Sequence, residues 1–96
     1  MIKQGYEKCK LQIQDILYLE AMKDYTRIIV QGKQYLVLAT LSSMQDQLPP
    51  EKFIRVHRSY VVNLDKVVRL KGNRVHLAHD ELPVGKLYKN ALNGIF

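Results

Sequence analysis

Apolar and polar residues alternate in short stretches along most of the chain, and the stretches are separated by turn-forming residues. At residues 8–13, Cys9, Leu11 and Ile13 alternate with Lys8, Lys10 and Gln12, the period-2 pattern of a strand with one buried face. Ile16–Glu20 reads as a second strand, Lys23-Asp24 as a turn and Thr26–Val30 as a third strand. Gln31-Gly32-Lys33 then closes a hairpin into Gln34–Leu38, with Gly32 free to take a positive φ. One segment breaks the alternation. Leu41, Met44 and Leu48 fall at i, i+3 and i+7, so a helix starts near Thr40 or Ser42, either of which can cap it. Pro49-Pro50 ends it, because proline removes an amide donor and forces the preceding residue out of the helical region. Strands resume at Phe53–His57, Tyr60–Asn63, Lys66–Leu70 and Arg74–Ala78, the last two joined through Lys71-Gly72-Asn73, and Leu82–Val84 is a short final strand. Lys86–Asn93 is expected to close the chain as a helix with Leu87, Ala91 and Leu92 facing inward.

These elements predict a mainly β fold of small antiparallel sheets, with one central helix and a short C-terminal helix. Three sheets or a folded-over sandwich satisfy the pattern equally. Ninety-six residues, 47% of them hydrophobic, suffice for one core, so residues 1–96 are expected to form one domain, with 1–7 as a tail or linker ahead of the first strand. No apolar run approaches the roughly 20 residues of a membrane-spanning helix. The N-terminal residues Met1 to Tyr6 have no apolar stretch behind the lysine, so no secretory signal is read and a reducing, cytoplasmic setting is expected. Cys9, the one cysteine, is read as a small buried hydrophobe.

Charge narrows the function. The chain carries 15 basic and 9 acidic residues, a net charge of +6, and the excess is uneven. Up to Glu51 the signs balance; from Lys52 onward nine basic residues face only Asp65, Asp80 and Glu81. A concentrated positive field attracts polyanions, and nucleic acid is the leading partner. From charge alone, a solvated surface that keeps the protein soluble fits as well.

Enzymatic and metal chemistry find little support. His57, Ser59 and Asp65 are the elements of a hydrolytic triad, but residues so close on adjoining strands seldom converge on one point. His57 reads better as a structural histidine bonded to neighbouring backbone, Arg55 as a structural ion-pair partner and Asn63 as a residue that satisfies turn backbone. His76, His79, Asp80 and Glu81 contain metal-binding residue types, yet their strand-to-turn setting without a cysteine favours ordinary exposed side chains. The five glycines form neither GxxxxGK nor GxGxxG. No enzyme activity, cofactor, metal or small-molecule substrate is expected.

Residues 53–67, FIRVHRSYVVNLDKV, preceded by the helix and LPPEK, closely resemble the signature of LytTR DNA-binding domains. DILYLEAMKDYTRIIV at 15–30 resembles the family's first hairpin, and LPVGKLYKNAL at 82–92 its last strand and closing helix. The resemblance implies an elongated arrangement of small β-sheets that binds duplex DNA through side chains on loops entering successive major grooves. It implies a transcription regulator, typically the output domain of a two-component response regulator. These 96 residues contain no receiver, which fits an excised domain or a stand-alone member. The resemblance also implies recognition of imperfect direct repeats, commonly by a second protomer beside the first. Carried over, the DNA-facing positions are Tyr25, Thr26 and Arg27 on the first hairpin loop, Arg58 and Ser59 in the His57-Arg58-Ser59 turn, and Lys86 and Lys89 at the start of the closing helix. Arg58 has the planar fork that holds guanine O6 and N7 together. Where the family has serine followed by arginine, this chain has Gly85-Lys86, so contact there shifts toward phosphate, and Gly85 can offer a backbone amide. The alternative is a basic β module for RNA or single strands. Such modules stack bases on an aromatic platform, whereas Tyr6, Tyr18, Tyr25, Tyr35, Phe53, Tyr60, Tyr88 and Phe96 are dispersed along the chain.

Overall fold

The structure, a computed structural model, describes residues 2–4, 7–9 and 12–93. Its elements run β1 (Ile2–Gln4), β2 (Glu7–Cys9), β3 (Ile16–Met22), β4 (Tyr25–Val30), β5 (Lys33–Val37), α1 (Leu41–Asp46), β6 (Phe53–His57), β7 (Tyr60–Asn63), β8 (Arg69–Lys71), β9 (Arg74–His76), β10 (Glu81–Pro83) and α2 (Lys89–Asn93). Short 3-10 turns occupy Ile13–Asp15, Leu64–Lys66 and Lys86–Tyr88. The sheets are antiparallel: a β1-β2 hairpin, a five-stranded sheet in the order β5-β4-β3-β7-β6 and a three-stranded sheet in the order β10-β9-β8. With extents of 41 × 23 × 20 Å the molecule is elongated, and the mainly β expectation holds.

The five-stranded sheet is covered on both faces. Leu19, Ile28, Phe53 and Val61 face α1 and pack against Leu41, Met44 and Leu48, the three apolar positions whose spacing predicts the helix. On the other face Val56 and Val62 meet Val75, Leu77 and Leu82 of the small-sheet region and Leu92 of α2. Full burial of a Leu, Ile, Val or Phe side chain contributes about 1.5–3 kcal/mol, so these two clusters hold the layers together. Thr40 caps α1, its Oγ1 accepting from the Ser43 amide at 3.1 Å. Gly32 (φ 80°) and Gly72 (φ 61°) turn the β4-β5 and β8-β9 hairpins, in a region that disfavours a Cβ.

Several boundaries differ from the expectation. Of the strand expected at residues 8–13, Lys8 and Cys9 lie in β2, whereas Ile13 opens a 3-10 turn and is 41% exposed. Lys10, Leu11, and the burial of Cys9 and Ala91, lie outside the described residues. Where a tail is expected, Ile2–Gln4 pairs with Glu7–Cys9. The strand expected from Lys66 starts at Arg69, because Asn63 Oδ1 accepts the Asp65 amide at 3.0 Å and the chain turns through Leu64–Lys66 first. The strand expected to reach Ala78 stops at His76, where the Leu77 amide donates to the Asp80 carbonyl at 2.8 Å and reverses the chain. The closing helix is divided into a 3-10 turn and α2. A 3-10 turn has about three residues per turn instead of 3.6, which rotates Leu87 out of the inward stripe. Leu92 is buried as expected, but Leu87 is 91% exposed.

Candidate nucleic-acid interface

The direction of each strand decides which loops share an end. Strands β3, β5 and β6 run toward one end of the large sheet; β4 and β7 run away from it. The β3-β4 turn at Lys23-Asp24, the Val37–Thr40 segment leading into α1, and the His57–Tyr60 turn therefore lie together. A hydrogen bond from the Ala21 amide to the Ser59 carbonyl, 2.8 Å, ties the first of these to the last. The small sheet contributes two more segments. The Val84 amide donates to the Asn73 carbonyl at 2.8 Å and the Gly85 amide to the Val56 carbonyl at 2.7 Å. These two consecutive bonds bring the Lys71–Arg74 hairpin tip and the Gly85–Lys89 segment against the end of β6.

This end is basic. It carries Lys23, Arg58, Lys71, Arg74, Lys86 and Lys89, with Asp24 as its acidic loop residue. The opposite end, made by the turns around Asp15, Gly32, Glu51, Asp65 and Asp80, has acidic and basic groups mixed. Lys52 Nζ lies 3.5 Å from Asp65 there. The charge excess read along the chain thus becomes a polarity in space. Among the six cations, Arg74 meets Glu81 at 3.3 Å.

The His57-Arg58-Ser59 turn is built from within. Arg55 donates from Nε to the His57 carbonyl at 3.3 Å, from Nη2 to the Arg58 carbonyl, and from Nη1 to Ser42 Oγ at 3.1 Å. One guanidinium therefore satisfies two turn carbonyls and links the turn to the first residues of α1. His57 Nδ1 accepts the Ser59 amide at 3.1 Å, which makes it the structural histidine the sequence suggests. Arg55 is structural too, but its partners are carbonyl and hydroxyl oxygens in place of a carboxylate. With its neighbours so fixed, Arg58 is left exposed at the tip.

Around the Gly85 amide, a 3-10 turn presents Lys86 and, one turn later, Lys89, both exposed. Residues i and i+3 eclipse in this geometry. A Cβ at position 85 would stand 3.0 Å from the Tyr88 ring and 3.6 Å from His57. The glycine lets Tyr88 fold down onto the backbone beside the His57 turn, where the serine of the family pattern would crowd it.

The remaining expected contacts divide. Tyr25 begins β4 at the basic end and is 46% exposed. Thr26 is not on a loop: it is 0% exposed, on the α1 side of β4, and its Oγ1 donates to the Ala39 carbonyl at 2.9 Å. The expectation that its side chain faces a ligand is corrected by strand alternation, which turns it inward next to Tyr25. Arg27 sits further along β4 on the opposite face, half-buried and paired with Glu20. Glu20 also accepts from Tyr60 Oη at 3.1 Å. Burial, then the Glu20 bond and charge, raise the Tyr60 pKa above its usual 10.0, and Arg27 opposes this. Burial and the nearby Asp80 and Glu20 carboxylates raise Tyr18 likewise. Lys23 and the Lys71–Arg74 tip are additions that linear reading missed. Both were legible as turns, but only the sheet topology places them beside Arg58.

No described helix is long and apolar enough to cross a membrane. Residues 6–96 match the LytTR DNA-binding domain family. Among curated relatives, a response regulatory protein of Vibrio cholerae is 34% identical over 85% of this chain and 35% of its own length. The CO-responsive transcriptional regulator RcoM of Rhodospirillum rubrum is 34% identical over 83% of this chain and 37% of its own. The transcriptional regulatory protein NatR of Bacillus subtilis is 29% identical, over 79% and 33%. The chain thus spans about a third of the length of these relatives. A solved LytTR DNA-binding domain from Bacillus cereus shares the fold, with a TM-score of 0.86 at 20% identity, covering 98% of this chain and 92% of that one. With the family matched across nearly its whole length and the fold shared, the chain belongs to the LytTR family of DNA-binding domains.

Proposed function

We propose that this chain binds duplex DNA sequence-specifically through its basic end, as the output domain of a cytoplasmic bacterial transcription regulator with no enzymatic activity of its own. The observation that carries the reading is the convergence of the Arg58 turn, the Lys86 segment and the Lys71–Arg74 tip on one end of the large sheet. Arg58 stands on a turn whose backbone is already bonded, so little ordering remains at the moment of binding. It reads a guanine edge in the major groove, while Lys86, Lys89, Lys71 and Lys23 hold phosphates on either side. Tyr25 and Ser59 lie at the same end and contact backbone or base edges. Two protomers side by side, each presenting this end to the duplex, read direct repeats.

Selection of bound duplexes from a random pool tests this. A recovered motif, present twice in direct repeat and bound more tightly than random duplex, is the expected result. A pool without a motif, or displacement of the duplex by equimolar single strands or RNA, overturns it in favour of a less specific or single-strand module.

A further inference from the structure

Leu87 is the most exposed of the large hydrophobic side chains described, at 91%, and it stands at the basic end. An isolated exposed leucine needs no explanation on most surfaces. Its position here does. Leu87 lies in the 3-10 turn between Lys86 and Tyr88, and the three successive side chains diverge by about 120° each. Tyr88 takes the inward direction, packed against Gly85 beside His57, so Lys86 and Leu87 take the two outward ones. The turn itself is anchored to β6 through the Gly85 amide and the Val56 carbonyl, and Arg58 lies two residues beyond Val56. An apolar side chain is thus held out among cations on rigid backbone.

We infer that Leu87 is a specificity-determining residue that packs against the C5-methyl group of a thymine in the major groove. This rests on the proposed duplex binding. Apolar side chains recognise thymine by its methyl, the one methyl group displayed in the major groove of unmodified DNA. Lys86, without the fixed fork of an arginine, carries little base discrimination. The adjacent Leu87 supplies part of it, and Lys86 fixes the phosphate register that brings the leucine to the base edge.

The test uses a duplex recovered by the selection above, with each thymine replaced in turn by deoxyuridine, which removes only the methyl. Burying one such group is worth about fourfold in affinity. One position is expected to weaken binding of the unaltered protein by about that factor, and Leu87→Ala to weaken binding to the thymine duplex by about four- to tenfold. On the deoxyuridine duplex, Leu87→Ala is expected to cost no more than half as much as on the thymine duplex. Leu87→Met, long and apolar, is expected to retain the preference. The inference is overturned if no thymine methyl matters, or if Leu87→Ala costs the same on both duplexes. Either outcome leaves duplex binding intact and so separates this failure from failure of the proposed function. A melting temperature unchanged by the substitutions, as suits an exposed side chain, confirms that folding is not the cause.

Discussion

At the scale of single residues, the two arginines of the 53–59 segment have opposite fates. Arg58 projects from the turn; Arg55 spends its donors on the turn's own carbonyls and on Ser42. Arg58→Ala is expected to cost about 1–3 kcal/mol on the selected duplex and little on random duplex. Arg55→Lys keeps the charge but cannot reach two carbonyls and a hydroxyl from a planar fork, so it should weaken the selected duplex while leaving random duplex binding nearly unchanged. If Arg55 acts through the turn, the loss on Arg55→Lys should largely vanish in the Arg58→Ala background, and an additive double mutant would refute this. Thr26 makes the contrasting case. Thr26→Val removes the bond to the Ala39 carbonyl and is expected to lower unfolding free energy by about 1 kcal/mol. DNA affinity should be unchanged below the melting transition, since the hydroxyl never reaches solvent; a selective loss of binding would restore Thr26 to the interface. Residue chemistry was legible where local chemistry decides it. His57 and Asn63 bond nearby backbone as their types suggest, Asn63 donating also to the Ile16 carbonyl at 2.8 Å. Thr26 was not legible, because alternation places it in a strand while the resemblance assigns it to the hairpin loop, and only the packing of β4 under α1 shows that its side chain takes the buried face.

At the scale of elements, α1 and the central strands followed from periodicity because each has one buried stripe and clear stop signals. Leu41, Met44 and Leu48 are buried, and Pro49 follows at once. The C-terminal segment misled the same reasoning, since Leu87 matches a 3.6-residue stripe and only the Gly85–Val56 bond and the packing of Tyr88 impose a 3-10 turn. Between elements, the face of the large sheet away from α1 is joined by Tyr60, Glu20 and Arg27, one from each of β7, β3 and β4. This linkage has a pH signature. Tyr60 and Tyr18 both have folded-state pKa values raised above 10.0, so the neutral phenols favour the folded protein. Their contribution is complete below the unfolded value and is lost as pH rises through the raised ones. The melting temperature should therefore fall as pH climbs past about 10, and Tyr60→Phe, which cannot ionise, should flatten that decline while lowering stability near neutrality through the lost Glu20 bond. Melting curves collected between pH 7 and about 11 check both; an alkaline decline identical in the variant would remove Tyr60 from the account.

At the scale of the whole molecule, the net charge of +6 matters through its placement. The sequence located the excess in its second half, but a half of a chain is not a surface. Antiparallel pairing carries Lys52 and Lys66 to one end and Arg58, Lys71 and Lys86 to the other, with Lys23 from the balanced half joining the latter. The two ends should therefore contribute unequally to polyanion binding. Each phosphate neutralised by a cation lowers the slope of log K against log salt by about 0.9. With Arg58 on a base and Arg74 held by Glu81, Lys23, Lys71, Lys86 and Lys89 remain for phosphates, and a slope of about −3 to −4 per protomer is expected. Lys71→Gln should make that slope shallower by about 1 and weaken selected and random duplexes alike. Lys52→Gln removes the same charge from the far end, beyond a Debye length of about 8 Å at physiological salt, and should leave the slope where it was. Equal effects from the two substitutions would mean that net charge alone, and not the gathering of these loops at one end, governs attraction to DNA.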